Sequence, residues 1–294
     1  MNWNPVQAIF EQSLRTPEQL ALHADGVELS YADLIRRVER LAAVLREHGI
    51  GRGSRVGILG SRSMIAIEAV LGVAWCGATY VPLGLRWPEE RMKAVIALTN
   101  LDAMIVDNTG ASLITSATLA TQVIVLPTRE AMRRLPDTAE RIVLTLEALP
   151  EVEDVFEPMV TSPDDLAYVI FTSGTTGVPK GVMVANASVA AYLAALGERK
   201  GMTKEDRASQ FTELSFDPSL GEIFVPLSVG ASLHIVPSVS HVSPVHFIRE
   251  QQLSVWGSTP AAIAWMRDTR ALQPGSLAGL RYSSFGGEPL PKEL

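Results

Sequence analysis

From Arg55 to Asp107, three short apolar runs, RVGILG, ATYVPL and DAMIVD, alternate with two longer stretches, SMIAIEAVLGVAWCG and PEERMKAVIALT. The short runs read as buried strands. The longer ones carry helical spacing: the first is apolar almost all round, and the second has Pro88 in its first turn. Strands that alternate with helices in this way predict an α/β sheet covered on both faces. Gly57 and Gly60 lack the G-x-G-x-x-G spacing, so the first strand-to-helix turn is not a dinucleotide fingerprint.

The flanking segments fit the same plan. LSYADLIRRVERLAAVLREHGIGRG opens with Ser30 as N-cap, repeats apolar residues at Leu34, Val38, Leu41 and Leu45, and stops at Gly49. Arg36, Arg37 and Arg40, alternating with Glu39, are expected on its solvated side. Between residues 108 and 163 the pattern loosens. TQVIVLP and ERIVLTLE are separated by polar turns and followed by the acidic EVEDVFEPMVTSPDD, which suggests a subdomain seam or surface loop. Further on, SLHIVP and SVWGSTP read as strands and PAAIAWMRD as a helix opening at Pro260.

Charge narrows the partners. Lys and Arg number 25 against 32 Asp and Glu in 294 residues, a net charge of −7, and no basic run interrupts that balance. Nucleic acid and anionic membrane surfaces are therefore not the expected partners, and a small molecule is. The longest uncharged stretch, Ala69 to Leu85, is too short and too broken by Gly72, Gly77, Pro82 and Gly84 to span a membrane. The single cysteine, Cys76, excludes an internal disulfide and sits among apolar neighbours as a core thiol of a reducing compartment. MNWNPVQAIFEQ lacks the build of a signal peptide, so the expected location is the cytoplasm. His23, His48, His234, His241 and His246 show no metal-ligand or general-base spacing, and no metal site is expected of them.

One loop carries chemistry. LAYVIFT reads as a buried strand ending at Thr172, and FTSGTTGVPKG follows from Phe171 to Gly181. Gly174, Gly177 and Gly181 allow backbone amides to approach an anion. Thr172, Ser173, Thr175 and Thr176 add hydroxyl donors, and Lys180 adds a charge whose approach Pro179 fixes. A polyphosphate suits this set, although the loop is not G-x-x-x-x-G-K-[ST]. The plain alternative, a Gly/Ser/Thr surface turn, does not account for the Pro-Lys-Gly ending. VMVANASVAAYLAAL then predicts a short strand and a helix capped by Asn186 or Ser188. In FDPSLGE, Asp217 before Pro218 reads as an N-cap and first helical residue, and Glu222 as a first-turn partner of the helix dipole.

LAYVIFTSGTTGVPKGVMV resembles the signature of the adenylate-forming superfamily, which holds the amino-acid-activating domains of nonribosomal peptide synthetases, acyl- and aryl-CoA ligases and luciferases. LSYADL, LGVAWCGATYVPL, SFDPSLGEIFVPLSVGASL and LRYSSFGGEPLPKEL match in the same order, so the resemblance covers nearly the whole chain. It implies a two-step reaction with ATP and Mg²⁺. A carboxylate is first activated as an adenylate, then passed to the thiol of a carrier protein's phosphopantetheine arm or of CoA.

By that resemblance Thr172, Ser173, Gly174, Thr175, Thr176, Gly177 and Lys180 hold the nucleotide's phosphates, and Gly287 and Glu288 lie near its adenine. Lys180 is the chain's candidate catalytic residue. Asp217 would hold the α-ammonium of an amino-acid substrate, a contact that an acid without an amine could not repay. Phe216, Gly221, Ala261, Ser284 and Gly286 would line the rest of its pocket, with small residues leaving room for a sizeable side chain. The family's later magnesium-binding glutamate, ribose-binding aspartate and C-terminal lysine-bearing domain have no match here. The expected fold is therefore an incomplete N-terminal core over residues 1–294, α/β with mixed sheets flanked by helices on both faces and without the small C-terminal domain. The favoured function is amino-acid activation for nonribosomal peptide or related synthesis. An acyl- or aryl-acid ligase and a noncatalytic nucleotide-binding fragment are the alternatives.

Overall fold

The computed structural model describes residues 3–115, 121–135, 141–152, 156–172, 179–237 and 244–292. The chain opens with α1 (Gln7–Arg15), β1 (Leu20–Ala24), β2 (Val27–Ser30) and α2 (Tyr31–Glu47). β1 and β2 turn on Asp25 and Gly26, at φ 49° and 78°. Two left-handed residues in succession match the twist of a two-strand hairpin, and glycine takes the second place without a Cβ clash. α2 begins where the sequence predicts, with the Asp33 amide donating to Ser30 Oγ at 3.1 Å, and it buries Leu34, Val38, Leu41 and Leu45. Glu39 departs from the expected solvated side: it is buried, and one of its carboxylate oxygens has no partner among the described residues. It lies between Ile35 and Ala42 on the helix surface, both buried, so it falls inside the packed stripe.

Next come β3 (Arg55–Leu59), α3 (Met64–Trp75), β4 (Thr79–Leu83), α4 (Glu89–Thr99), β5 (Ala103–Val106), α5 (Asn108–Ala111), β6 (Val123–Leu126), α6 (Arg129–Arg133), β7 (Ile142–Thr145), β8 (Leu166–Thr172) and β9 (Lys180–Ala185). The strands form one sheet in the order β7-β6-β5-β3-β4-β8-β9. Every pairing is parallel except that of β8 with β9. The stretch 108–163 thus supplies β6 and β7, the outer strands of this sheet. Successive residues along each strand enter different cores. Ile58, Ile105, Val125 and Ile170 pack on one face, and Leu59, Val106, Leu126 and Phe171 pack on the other, against Met92, Val95 and Ile96 of α4. A strand covered on both sides has no polar face to alternate with, which is why these runs are continuously apolar.

The rest of the chain contributes α7 (Asn186–Lys200), β10 (Arg207–Gln210), α8 (Pro218–Ser228), β11 (Ser232–Ile235), α9 (Val245–Glu250), β12 (Val255–Ser258), α10 (Pro260–Asp268) and β13 (Tyr282–Phe285). These strands extend the opening hairpin into a second sheet, β13-β12-β10-β11-β1-β2, again parallel apart from one pair, β1 with β2. Leu22, Leu233 and Ile235 of this sheet share one core with Leu34 of α2, Ile67 of α3 and Leu227 of α8, so these helices fill the space between the sheets. Each such fully buried aliphatic side chain contributes roughly 1.5–3 kcal/mol. On the outer face, Phe247 and Trp256 pack together, and Ile263 and Met266 of α10 form a neighbouring cluster. Two mixed sheets with helices on both faces agree with the expected α/β class. Cys76 is the expected core thiol, fully buried, with Sγ 3.4 Å from the Ala42 carbonyl oxygen.

Candidate functional site

The C-terminal ends of the parallel strands converge on one side of the molecule. Arg62 follows β3 and donates to the carbonyl oxygen of Phe211, just past β10, at 3.1 Å. Arg86 follows β4 and pairs with Glu213 at 2.7 Å. The carboxyl ends of the two sheets therefore face one crevice, the usual place for a ligand in open α/β sheets. Asp107, buried at the end of β5, shapes the loop that carries Arg62. Its Oδ2 accepts from the Ser61 amide at 2.7 Å, Ser61 Oγ at 2.9 Å and Ser63 Oγ at 2.8 Å, while Oδ1 accepts from the Gly110 amide at 2.7 Å. Burial lowers the pKa of Arg62 to about 10, although the Glu213 and Glu222 carboxylates oppose the shift.

β8 and β9 bring the phosphate-loop candidates to this crevice. Thr172 lies opposite Lys180 in the antiparallel register, and both are exposed. The ladder runs to Lys180, so β9 starts earlier than the sequence predicts. Ser173, Gly174, Thr175, Thr176 and Gly177 lie outside the described residues. α7 is not capped by Asn186 or Ser188: Ala185 holds the N-cap position, without a side-chain cap. The Asn186 amide instead donates to Asp165 O at 2.9 Å and the Ala187 amide to Pro163 O at 3.0 Å. Backbone carbonyls satisfy the first amides of the helix and leave no need for a hydroxyl or amide cap.

α8 brings in the substrate candidates. Asp217 occupies the N-cap position, but with helical backbone angles, φ −57° and ψ −30°, and its side chain makes no capping hydrogen bond. An N-cap side chain turns back onto the helix from an extended backbone, so the expected cap does not form. The carboxylate is left exposed. It lies within electrostatic reach of Tyr168 and Tyr192, raising the pKa of each hydroxyl after burial has done so. Phe216 beside it is 62% exposed.

Glu222 is not a first-turn dipole partner. It is buried, and accepts from the Phe211 amide at 2.9 Å, the Thr212 amide at 2.8 Å and Thr212 Oγ1 at 2.8 Å. Burial raises its pKa and these hydrogen bonds oppose the rise. Gly221, one turn beyond Asp217, is also buried. A Cβ there would lie 2.4 Å from Leu196 Cδ2 and 2.7 Å from Tyr192 Oη. The room expected at this position is filled by side chains of α7.

The remaining candidates follow β12 and β13. Ser284 is half-buried and pairs with Gly257 across the two strands. A Cβ at Gly257 would meet Glu222 Oε1 at 2.9 Å and Ser284 Oγ at 3.6 Å. The Gly286 amide donates to Ser258 O at 3.2 Å. Gly287, at φ 91°, turns the exposed chain toward Glu288, whose Oε1 accepts from the Ala261 amide at 2.7 Å. Glu288 thus satisfies the first turn of α10. Sequence reasoning missed Arg62, Gly257 and Tyr192, whose roles arise from contacts across the fold. Among the described residues, no three His, Cys, Asp or Glu side chains gather as a metal site. No helix of the described residues is long and apolar enough to cross a membrane.

A family model described as AMP-binding enzyme matches residues 9–294. The chain is similar to the pyochelin synthetase PchF of Pseudomonas aeruginosa, 30% identical over 293 residues, which are 97% of this chain and 15% of that protein. Its structure resembles the Vibrio cholerae adenylation domain AlmE in complex with glycyl-adenosine-5'-phosphate, with a TM-score of 0.83 at 26% identity, covering 98% of this chain and 55% of that one. The AMPPNP-bound form of the nonribosomal peptide synthetase FmoA3 gives a TM-score of 0.82 at 26% identity, covering 99% of this chain and 29% of that one.

Proposed function

The chain belongs to the AMP-binding enzyme family, and on that premise we propose that it activates an amino acid as its aminoacyl adenylate for nonribosomal peptide or related synthesis. The carrying observation is the uncapped, exposed carboxylate of Asp217 at the head of α8. An anion that serves no cap and lies within electrostatic reach of two tyrosine hydroxyls is suited to a substrate ammonium.

In the first step an oxygen of the substrate carboxylate attacks the α-phosphorus of ATP. The bond from that phosphorus to the oxygen bridging to the β-phosphate breaks, and pyrophosphate leaves. In the second step a thiolate, from a carrier protein's phosphopantetheine arm or from CoA, attacks the acyl carbon and AMP departs. Asp217 fixes the amino end, so the carboxylate is oriented rather than free to rotate. The Thr172 hydroxyl and the Lys180 ammonium, side by side at the mouth of the β8–β9 hairpin, form a donor set that fits phosphate oxygens. Ser173, Gly174, Thr175, Thr176 and Gly177 complete the proposed loop. Phe216, Ala261, Ser284 and Gly286 flank the amino-acid side, with Gly287 and Glu288 toward the base. Mg²⁺ would be carried by the nucleotide's own phosphate oxygens and supply further charge neutralisation. A reaction that draws on ATP, in a chain whose single cysteine is a buried free thiol, fits the cytoplasm.

Amino-acid-dependent exchange of pyrophosphate into ATP, measured on the polypeptide as its source produces it, tests the reading. Asp217→Ala should lower kcat/KM for the amino acid by about 10- to 100-fold, the worth of one charge-assisted contact. Exchange that depends on acids lacking an amine, and is indifferent to Asp217→Ala, would mean an acyl- or aryl-acid ligase. Nucleotide binding without exchange for any acid would mean a noncatalytic module.

A further inference from the structure

Gly221 and Asp217 lie one turn apart on the same face of α8, with α7 packed across from them. The space beside Gly221 is already taken: Tyr192 Oη and Cε1 lie 2.7 and 3.3 Å from where a Cβ would stand. Tyr192 remains 40% exposed, so its side chain reaches solvent as well as the helix. Its hydroxyl makes no hydrogen bond to any described residue, although both Asp217 and Glu222 lie within electrostatic reach of it. Across β12 and β13, Gly257 lies between the Glu222 carboxylate and the Ser284 hydroxyl, 2.9 and 3.6 Å from where its Cβ would stand. The region beyond Asp217 therefore holds hydroxyls and carboxyl groups, and glycine at 221 has not made it roomy.

We propose that Tyr192 is a specificity-determining residue of the amino-acid site, closing the space beside Gly221 and offering its free hydroxyl to the substrate's side chain, so that the site selects a short, hydroxyl-bearing amino acid. The proposal rests on Asp217 holding the α-ammonium, as argued above. A substrate anchored there projects its side chain toward the next turn of α8, where the Tyr192 ring sets its length. A hydroxyl without a partner among the described residues favours a side chain that can bond to it, because a site built for a hydrogen bond rejects a substrate that leaves it unmade. Acidic side chains are disfavoured beside the Asp217 and Glu222 carboxyl groups, since like groups at close range cannot all ionise freely.

The test is pyrophosphate exchange by the full polypeptide and its Tyr192→Phe and Tyr192→Ala variants, with alanine, serine, threonine, leucine and phenylalanine as substrates. Direct binding of the same amino acids is followed by calorimetry. The wild-type protein should prefer serine or threonine to leucine and phenylalanine. Tyr192→Phe, which keeps the ring, should reduce the serine-over-alanine ratio of kcat/KM by about tenfold, the discrimination one hydrogen bond supplies. Tyr192→Ala should raise leucine over serine by about tenfold or more, since pocket volume discriminates at that scale. Should Tyr192→Ala abolish exchange with every substrate, the ratios measured with Tyr192→Phe decide. Unchanged ratios in the surviving variants, or a wild-type preference for leucine or phenylalanine, would overturn this proposal while leaving amino-acid activation standing. Wild-type protein that exchanges with no amino acid would remove the activation reading, and this proposal with it.

Discussion

Arg62, on the loop leaving β3, donates to the carbonyl oxygen of Phe211 beyond β10, and so ties the carboxyl ends of the two sheets together at 3.1 Å. Its guanidinium also lies over the Phe211 ring, 5.8 Å from the centroid. The contact is prepared on both sides: Asp107 gathers the loop through Ser61 and Ser63, and Glu222 holds the Phe211 and Thr212 amides. This relation joins the loop after β3 to the segment between β10 and α8, at whose head Asp217 stands.

Replacing Arg62 with Ala removes a buried charged donor and leaves the Glu222 carboxylate with less compensation. A loss of about 1.5–3 kcal/mol in unfolding free energy is expected, the range for a hydrogen bond to a charged group. Urea denaturation measures it. A loss below about 0.5 kcal/mol, typical of an ordinary surface change, would show that the two sheets hold their relation without Arg62.

Asp206 and Arg281 predict how stability responds to acid. Asp206 Oδ1 accepts from Ser254 Oγ at 2.6 Å and Arg281 Nε at 2.7 Å, joining the start of β10 to the start of β13. Burial alone would raise the Asp206 pKa, but the Arg281, Ser254 and Thr203 contacts outweigh it and hold the value at about 2. A folded-state pKa below the unfolded one, ~3.9, means that this stabilisation is complete above pH ~4 and is lost as pH falls toward about 2. Arg281→Met should flatten that part of the stability profile, as followed by circular dichroism in urea between pH 6 and about 2. A profile unchanged by the substitution would show that other carboxylates account for the acid sensitivity.

Most of the first sheet is legible in the sequence, because strands buried on both faces need continuous apolar residues, and RVGIL, TYVPL, AMIV and LAYVIFT supply them. The Ser30 cap and the Leu34, Val38, Leu41 and Leu45 stripe are local signals of the same kind. β10 and β13 are not legible: RASQ and YSSF are short and polar, and neighbouring strands define them by backbone pairing. The opening hairpin carries a readable signal in Asp25 and Gly26 that the helical stripe after it overshadows. At the candidate site, the motifs nominate the residues, but the state of each described side chain comes from distant contacts. Asp217 is expected to cap its helix and does not. Glu222 is expected on a first turn and is instead buried, fastening the half-buried loop after β10. The space beside Gly221 belongs to Tyr192 and Leu196, which no local pattern around Gly221 announces.

Cys76 should be inert while the protein is folded. The thiol is fully buried, and burial pushes its pKa up to about 12 against the opposing charge of Arg46. The thiolate that would react with an alkylating reagent is therefore scarce as well as inaccessible at pH ~8. Iodoacetamide labelling followed by mass spectrometry should show almost no modification in native buffer and complete modification in denaturant. Rapid labelling of the native protein would mean that α3 opens away from α2 far more readily than its packing implies.

The close approach of α7 and α8 is a testable consequence of Gly221. Alanine at this position gains about 1 kcal/mol in helix propensity over glycine, which alone would stabilise the protein. Against that, its Cβ would stand 2.4 Å from Leu196 Cδ2 and 2.7 Å from Tyr192 Oη, so both side chains, or the two helices, must move. Overpacking of this kind costs about 1–3 kcal/mol, and the net effect of Gly221→Ala should be destabilising. Leu196→Ala removes the nearer of the two contacts, and in that background the same change should cost less, with a coupling of about 0.5–3 kcal/mol between the sites. A double-mutant cycle in urea reads the coupling directly. If Gly221→Ala stabilises the protein in both backgrounds, propensity outweighs packing and α7 yields freely. If the cost falls only when Leu196 is shortened, the α7–α8 contact is rigid enough for Tyr192 to hold a fixed wall beside Asp217.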